Sequence, residues 1–105
     1  MGYEKAIKLS NAQLEKRIRS VAEDSANVVI TVHAKARMRE RKVNVIAVYE
    51  ALRKGTIKHP PEPNLGKQSL ECRMEHYTAG KNVCVVVALS DENPLLVCVT
   101  VFYCD

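Results

Sequence analysis

The chain has 105 residues, with 16 Lys plus Arg against 12 Asp plus Glu, a formal net charge of +4 and a pI near 9.0. A chain this long makes one domain around one modest core, since it buries about two-thirds of its unfolded surface, and a large multi-domain enzyme is excluded. With 47% hydrophobic and 27% charged residues, disordered and low-complexity classes are excluded as well.

Met1 to Ala6 lacks the apolar stretch of a secretory signal, and Ala6 stands where a myristoylation motif needs Ser or Thr, so the expected location is cytoplasmic. Ser10-Asn11-Ala12-Gln13 fits a capping box and starts a helix that stays amphipathic to about residue 23, with Leu14, Ile18, Val21 and Ala22 on its apolar side. Asp24 to Asn27 is a break, and Val28 to Ile30 is a connector or a short strand. Thr31 can cap a second helix from about His33 to Lys42. Asn44 can cap a third from Val45 to Lys54, ended by Gly55 in the left-handed conformation.

After Gly55 the hydrophobic period changes. Thr56 to His59 can form a brief strand, and Pro60 to Gly66 should be a loop unable to join any ladder. From Leu70 the alternation is clear. Leu70, Cys72, Met74 and His76 share the core side, and Glu71, Arg73, Glu75 and Tyr77 the wet side. A turn at Ala79 to Asn82 leads into Val83 to Leu89, and a second turn at Asp91 to Pro94 leads into Leu95 to Tyr103.

The expected architecture is α+β. Two or three N-terminal helices, in a helical part over about 10–55, pack on a three- or four-stranded antiparallel sheet over about 56–104, and residues 1–105 form one domain. Neither of the most apolar runs approaches the roughly 20 residues of a membrane helix, so no membrane role is expected. Cys72, Cys84, Cys98 and Cys104 form no C-x-x-C pair and lie in apolar segments. Reduced thiols are expected, with Cys84 and Cys98 the pair that neighbouring strands could bridge.

Thr31-Val32-His33-Ala34-Lys35-Ala36-Arg37-Met38-Arg39-Glu40-Arg41 is the most distinctive stretch, followed by Val48, Leu52 and Gly55. It resembles the DUF4258 family of small bacterial domains of unknown function, through H-A-x-x-R-M-x-x-R and a following V-x-x-x-L-x-x-G. Such helix-plus-sheet domains look similar in turn to the RelE- and BrnT-like ribonuclease toxins. That similarity implies a RelE-like fold, an RNA substrate and an antitoxin-like protein partner.

His33, Arg37 and Arg41 are spaced i, i+4 and i+8 and so form one stripe on a helix. A His beside guanidinium groups suits RNA cleavage. The imidazole can move the 2′-hydroxyl or leaving-group proton, and Arg can hold phosphate oxygens and steady charge on the phosphorane. The plain alternative is that His33 caps the helix or packs on the sheet while Arg37 and Arg41 are solvated or paired with acids. By analogy with RelE-like nucleases, Arg73 and Tyr103 complete the catalytic candidates.

Lys35, Arg37, Arg39, Arg41 and Lys42, less Glu40, equal the whole chain's +4, and make this helix the candidate binding surface for RNA or another polyanion. No phosphate-cradling glycine loop, nucleophile elbow or dinucleotide fingerprint is present, and no cofactor is expected. No metal set is expected either, since Cys72 and His76 share a strand face without a second pair to complete a tetrahedron. The readings that remain are a metal-independent ribonuclease, a non-catalytic nucleic-acid-binding module, and a protein-interaction partner.

Overall fold

A computed structural model describes residues 8–64, 66, 69–90 and 94–104; the N-terminal segment read for targeting and the Asp91 to Asn93 part of the second turn lie outside them. The order is α1 (Asn11–Ala22), β1 (Val28–Ile30), α2 (Val32–Arg41), α3 (Val45–Lys54), β2 (Thr56–Ile57), β3 (Glu62–Asn64), β4 (Ser69–Thr78), β5 (Lys81–Leu89) and β6 (Leu96–Cys104). The class is α+β, as expected, but the described residues form a six-stranded mixed sheet rather than three or four antiparallel strands.

Each helix begins at a side-chain cap. Ser10, Thr31 and Asn44 accept from the backbone N–H of Gln13, Ala34 and Ala47, which satisfies donors a helix start would otherwise leave unpaired. Ser10 and Gln13 complete the capping box. Gly55 departs from expectation, for its backbone is extended (φ −74, ψ 175) and the left-handed C-cap falls instead on Lys42, at φ 56. Glycine is needed at 55 for a different reason: a Cβ there would crowd the Ala51 carbonyl and stand 2.9 Å from the Glu75 carbonyl oxygen.

The strand order is β1-β6-β5-β4-β2, with β3 also on β4. β1 runs parallel to β6, a pairing that a three-residue segment far away in sequence could not announce. β2 and β3 lie along the same edge of β4, opposite Glu75–Met74 and Glu71–Ser69 respectively. The segment expected to be a loop therefore joins the ladder at Glu62–Asn64, and Pro63 is tolerated because this is an edge. The hairpin between β4 and β5 turns on Ala79 and Gly80, both at positive φ, which suits the twist of the strands.

The helices pack on one face of the sheet, where Leu14, Ile18 and Leu52 meet Met74, Val85 and Val101 in the core. A bulge between Val86 and Val87 in the β5–β6 register leaves Val99 as the extra residue. Cys98, Val101 and Tyr103 consequently face the helices, while Thr100, Phe102 and Cys104 face away. Strands β5 and β6 are both interior to the sheet, between β4 and β1; among the described residues no helix covers their second face, where Val86, Val97 and Phe102 are half-buried.

The cysteines also depart from expectation. Cys84 and Cys104 are joined across β5 and β6 on the second face, with Cα atoms 6.1 Å apart, while Cys72 and Cys98 are free and buried. Cys98 cannot reach Cys84, because it sits on the helix side opposite Val87, three residues along β5. No helix of the described residues is long and apolar enough to cross a membrane.

Candidate nucleic-acid interface

Helix α2 is tied to β6 at both ends. At its start, Thr31 donates through its hydroxyl to the Cys98 carbonyl (3.0 Å) while that same oxygen accepts from the Ala34 N–H. At its end, Arg41 Nη1 donates to the Val101 carbonyl at 2.7 Å, and the Tyr103 hydroxyl donates to the Lys42 carbonyl at 3.2 Å. The left-handed Lys42 then lets the Val43 N–H reach back to the Met38 carbonyl, which closes the helix.

Ala34 is the fully buried residue of α2, and Met38, one turn on, packs against the core. At about 100° per residue, the cationic side chains fall on the two flanks of this inner line. On one flank are His33, Arg37 and Arg41; on the other, Lys35, Arg39 and Lys42. Together with Met38, Val43, Asn44 and Val45, the second trio lines an open concavity of about 500 Å³.

The first flank is partly engaged. Arg37 Nη1 pairs with Glu40 at 2.5 Å, and its Nε is buried without a hydrogen-bond partner. Arg41 is spent on the Val101 carbonyl. His33 is exposed, and among the described residues its side chain has no partner. It does not cap the helix, because Thr31 does.

Of the sheet candidates, Tyr103 joins this side of the molecule and Arg73 does not. Tyr103 faces the helices, with its hydroxyl on Lys42 and its ring 4.6 Å from Lys81 Nζ. Arg73 lies across the sheet from α2, its guanidinium 5.2 Å from the Phe102 ring centroid and its Nε 3.3 Å from Glu75 Oε2. The alternation of β4 already set Arg73 on the side opposite Cys72 and Met74. The missing step was that the helices cover the latter.

His76, on the core side, stands 3.9 Å from Glu50 of α3. His59 falls just beyond the brief strand, between β2 and β3, where its Nε2 approaches Glu75 Oε2 at 3.6 Å. Glu75 is the residue that alternation misplaced, for it is only 6% exposed although it belongs to the face expected to be wet. Its cover comes from residues distant in the chain, which a strand pattern cannot register.

The family model described as a domain of unknown function (DUF4258) matches residues 30–103, from the last residue of β1 almost to the end of β6. The chain belongs to the DUF4258 family. The DUF4258 match spans α2, α3 and β2 to β5 entire and omits α1, which is fastened to it by Arg19 donating to the Gly55 carbonyl at 2.6 Å and by packing on α3. No curated protein and no solved structure matches the chain.

Proposed function

We propose that this DUF4258 protein is a cytoplasmic, RelE- or BrnT-like ribonuclease that holds single-stranded RNA along α2 and cleaves it without a metal. One observation carries the reading: an exposed, unpartnered His33 opens a helix whose next turns bear Arg37 and the free cations Lys35, Arg39 and Lys42. In the proposed step His33 takes the 2′-hydroxyl proton as that oxygen attacks phosphorus, and the 5′-oxygen leaves with a proton from water. The products are a 2′,3′-cyclic phosphate and a 5′-hydroxyl end. Arg37, released from Glu40 by the stronger claim of a phosphate, would steady the charge on the phosphorane.

The pairing of Arg37 with Glu40, of Arg41 with the Val101 carbonyl and of Tyr103 with the Lys42 carbonyl favours a second reading, a module that binds RNA without cutting it. An antitoxin-like partner would find exposed Val29 and Val32 at the β1 edge and the start of α2. Incubating the purified protein with single-stranded RNA in the presence of a chelator tests both readings. Cleavage to cyclic phosphate ends that His33→Ala abolishes, with binding retained, supports the ribonuclease. Salt-sensitive binding without cleavage supports the module, and absence of binding refutes both.

A further inference from the structure

On the face of the sheet away from α2, three strands bring unlike ligand atoms together. A carboxylate oxygen of Glu75 on β4 and the sulfurs of Cys84 on β5 and Cys104 on β6 all lie within 4.8 Å of one another. A fourth group stands beside Glu75. Between Ile57, opposite Met74, and Glu62, opposite Glu71, four residues of the edge strand face only Cys72 and Arg73 of β4. This bulge lifts His59 out of the ladder, half exposed, and leaves its Nε2 3.6 Å from Glu75 Oε2.

We propose that reduction of the Cys84–Cys104 disulfide opens a zinc site made of both thiolates, Glu75 and His59. Two sulfurs, an imidazole nitrogen and a carboxylate oxygen are a donor set that zinc accepts in tetrahedral geometry. With bonds of about 2.0–2.3 Å, the corners of such a site lie about 3.3–3.8 Å apart. Cys104 Sγ stands 3.6 Å from Glu75 Oε1, and His59 Nε2 stands 3.6 Å from the other carboxylate oxygen, Oε2. The imidazole, which lies outside the 4.8 Å grouping of the other three, has to swing in from its exposed segment, and the two sulfurs have to separate.

Glu75 is placed as a ligand held ready. It is 94% buried by the exposure of 6%, and Asn82 Nδ2 fixes its Oε1 from 3.1 Å while also standing 3.2 Å from Cys104 Sγ. Its Oε2 has no hydrogen bond, only the ionic approaches of Arg73 and His59. Burying a carboxylate oxygen so incompletely matched is costly, and a cation at that point relieves the cost.

Charge favours the exchange. With the disulfide closed, Glu75 and Arg73 cancel. With two thiolates, Glu75, Zn²⁺ and Arg73 the sum is again zero, whereas the metal-free dithiolate would leave two uncompensated negative charges. Two equivalents of a small thiol reductant would convert the disulfide to two cysteine thiols and leave as their own disulfide. Zinc binding then displaces both thiol protons to solvent. Cys72 and Cys98 cannot substitute, since they lie on the helix side and burial pushes their thiols up to about 12.

The test is a cobalt titration of the full chain, reduced with a phosphine and freed of reductant under anaerobic conditions. Folding is followed by circular dichroism. The expected result is one equivalent of Co²⁺ bound with thiolate-to-cobalt charge-transfer absorption, displaced by zinc and absent from the oxidised protein. Because Cys84→Ser can disturb the sheet, the deciding variants are His59→Ala, on an exposed bulge, and Glu75→Gln; each should weaken binding by about tenfold or more. Absence of the charge-transfer band from the reduced protein, or undiminished affinity in both variants, overturns the proposal.

Discussion

Replacing Arg41 by Ala should destabilise the fold and leave RNA binding nearly intact, while replacing Arg39 should do the reverse. Arg41 Nη1 is a charged donor 2.7 Å from the Val101 carbonyl, in a part-buried position. Charge-assisted bonds of this kind contribute about 1.5–3 kcal/mol, and partial exposure favours the lower end. A loss of about 1.5 kcal/mol corresponds to roughly 6–12 °C in Tm for a domain of this size. Arg39 is exposed and, among the described residues, makes no such bond, so Arg39→Ala should stay within about 0.5 kcal/mol of the parent.

Binding should follow the opposite order. If Lys35, Arg39 and Lys42 each meet one phosphate, log K against log salt for a single strand should fall with a slope of about −2, from about −0.7 per contact. Arg39→Ala should bring it to about −1.4, and Arg41→Ala should leave it near −2. Thermal denaturation together with anisotropy of a labelled RNA across a range of salt reads both quantities. A shallower slope in Arg41→Ala with unchanged Tm would refute this division of roles.

Leu52 is fully buried between α3 and the sheet, so Leu52→Ala should cost about 3 kcal/mol in urea denaturation. Gly55→Ala should also destabilise, by about 2 kcal/mol, although a glycine at negative φ is ordinarily improved by alanine; here the new methyl meets two backbone carbonyls that cannot yield. Stability should fall as pH rises from 9 toward 12, because the unfolded thiols of Cys72 and Cys98 lose protons near 9 while the buried ones hold them to about 12. Denaturation across that range should show the fall, and Cys72→Ala/Cys98→Ala should flatten it.

The helices were legible because their signals are local. Ser10, Thr31 and Asn44 each cap a donor within three residues, and the structure keeps all three. What escaped depends on partners far away. Val28–Ile30 becomes a strand only because β6 accepts it from 68 residues downstream, and Pro63 enters a ladder only because β4 offers it an outer edge. Gly55 was picked out for conformational freedom, while the structure uses its missing side chain to bring α3 against β4.

Which face each cysteine of β6 takes turns on a single extra residue. Without the bulge at Val99, Cys98 and Cys104 would share one parity, and an alternating pattern gives no reason to separate them. The bulge sends Cys98 into the core and Cys104 to the far face, where Cys84 waits. It also turns Tyr103 toward α2.

These facts divide the candidate site by the sheet itself. Arg73 cannot assist chemistry at His33 without leaving Glu75 and Phe102 and passing through the core, so the candidate catalytic set reduces to side chains on or beside α2. Within that set, the excess charge of the sequence is unequal in availability: Glu40 answers Arg37, a carbonyl answers Arg41, and Lys35, Arg39 and Lys42 remain for a polyanion. The free cations flank an apolar floor of Met38, Val43 and Val45, whereas His33 stands on the opposite flank of the helix. An RNA strand gripped by the first group must therefore cross α2 to reach the imidazole. Cleavage should accordingly need a longer oligonucleotide than binding does, and equal minimum lengths for the two would place the grip elsewhere.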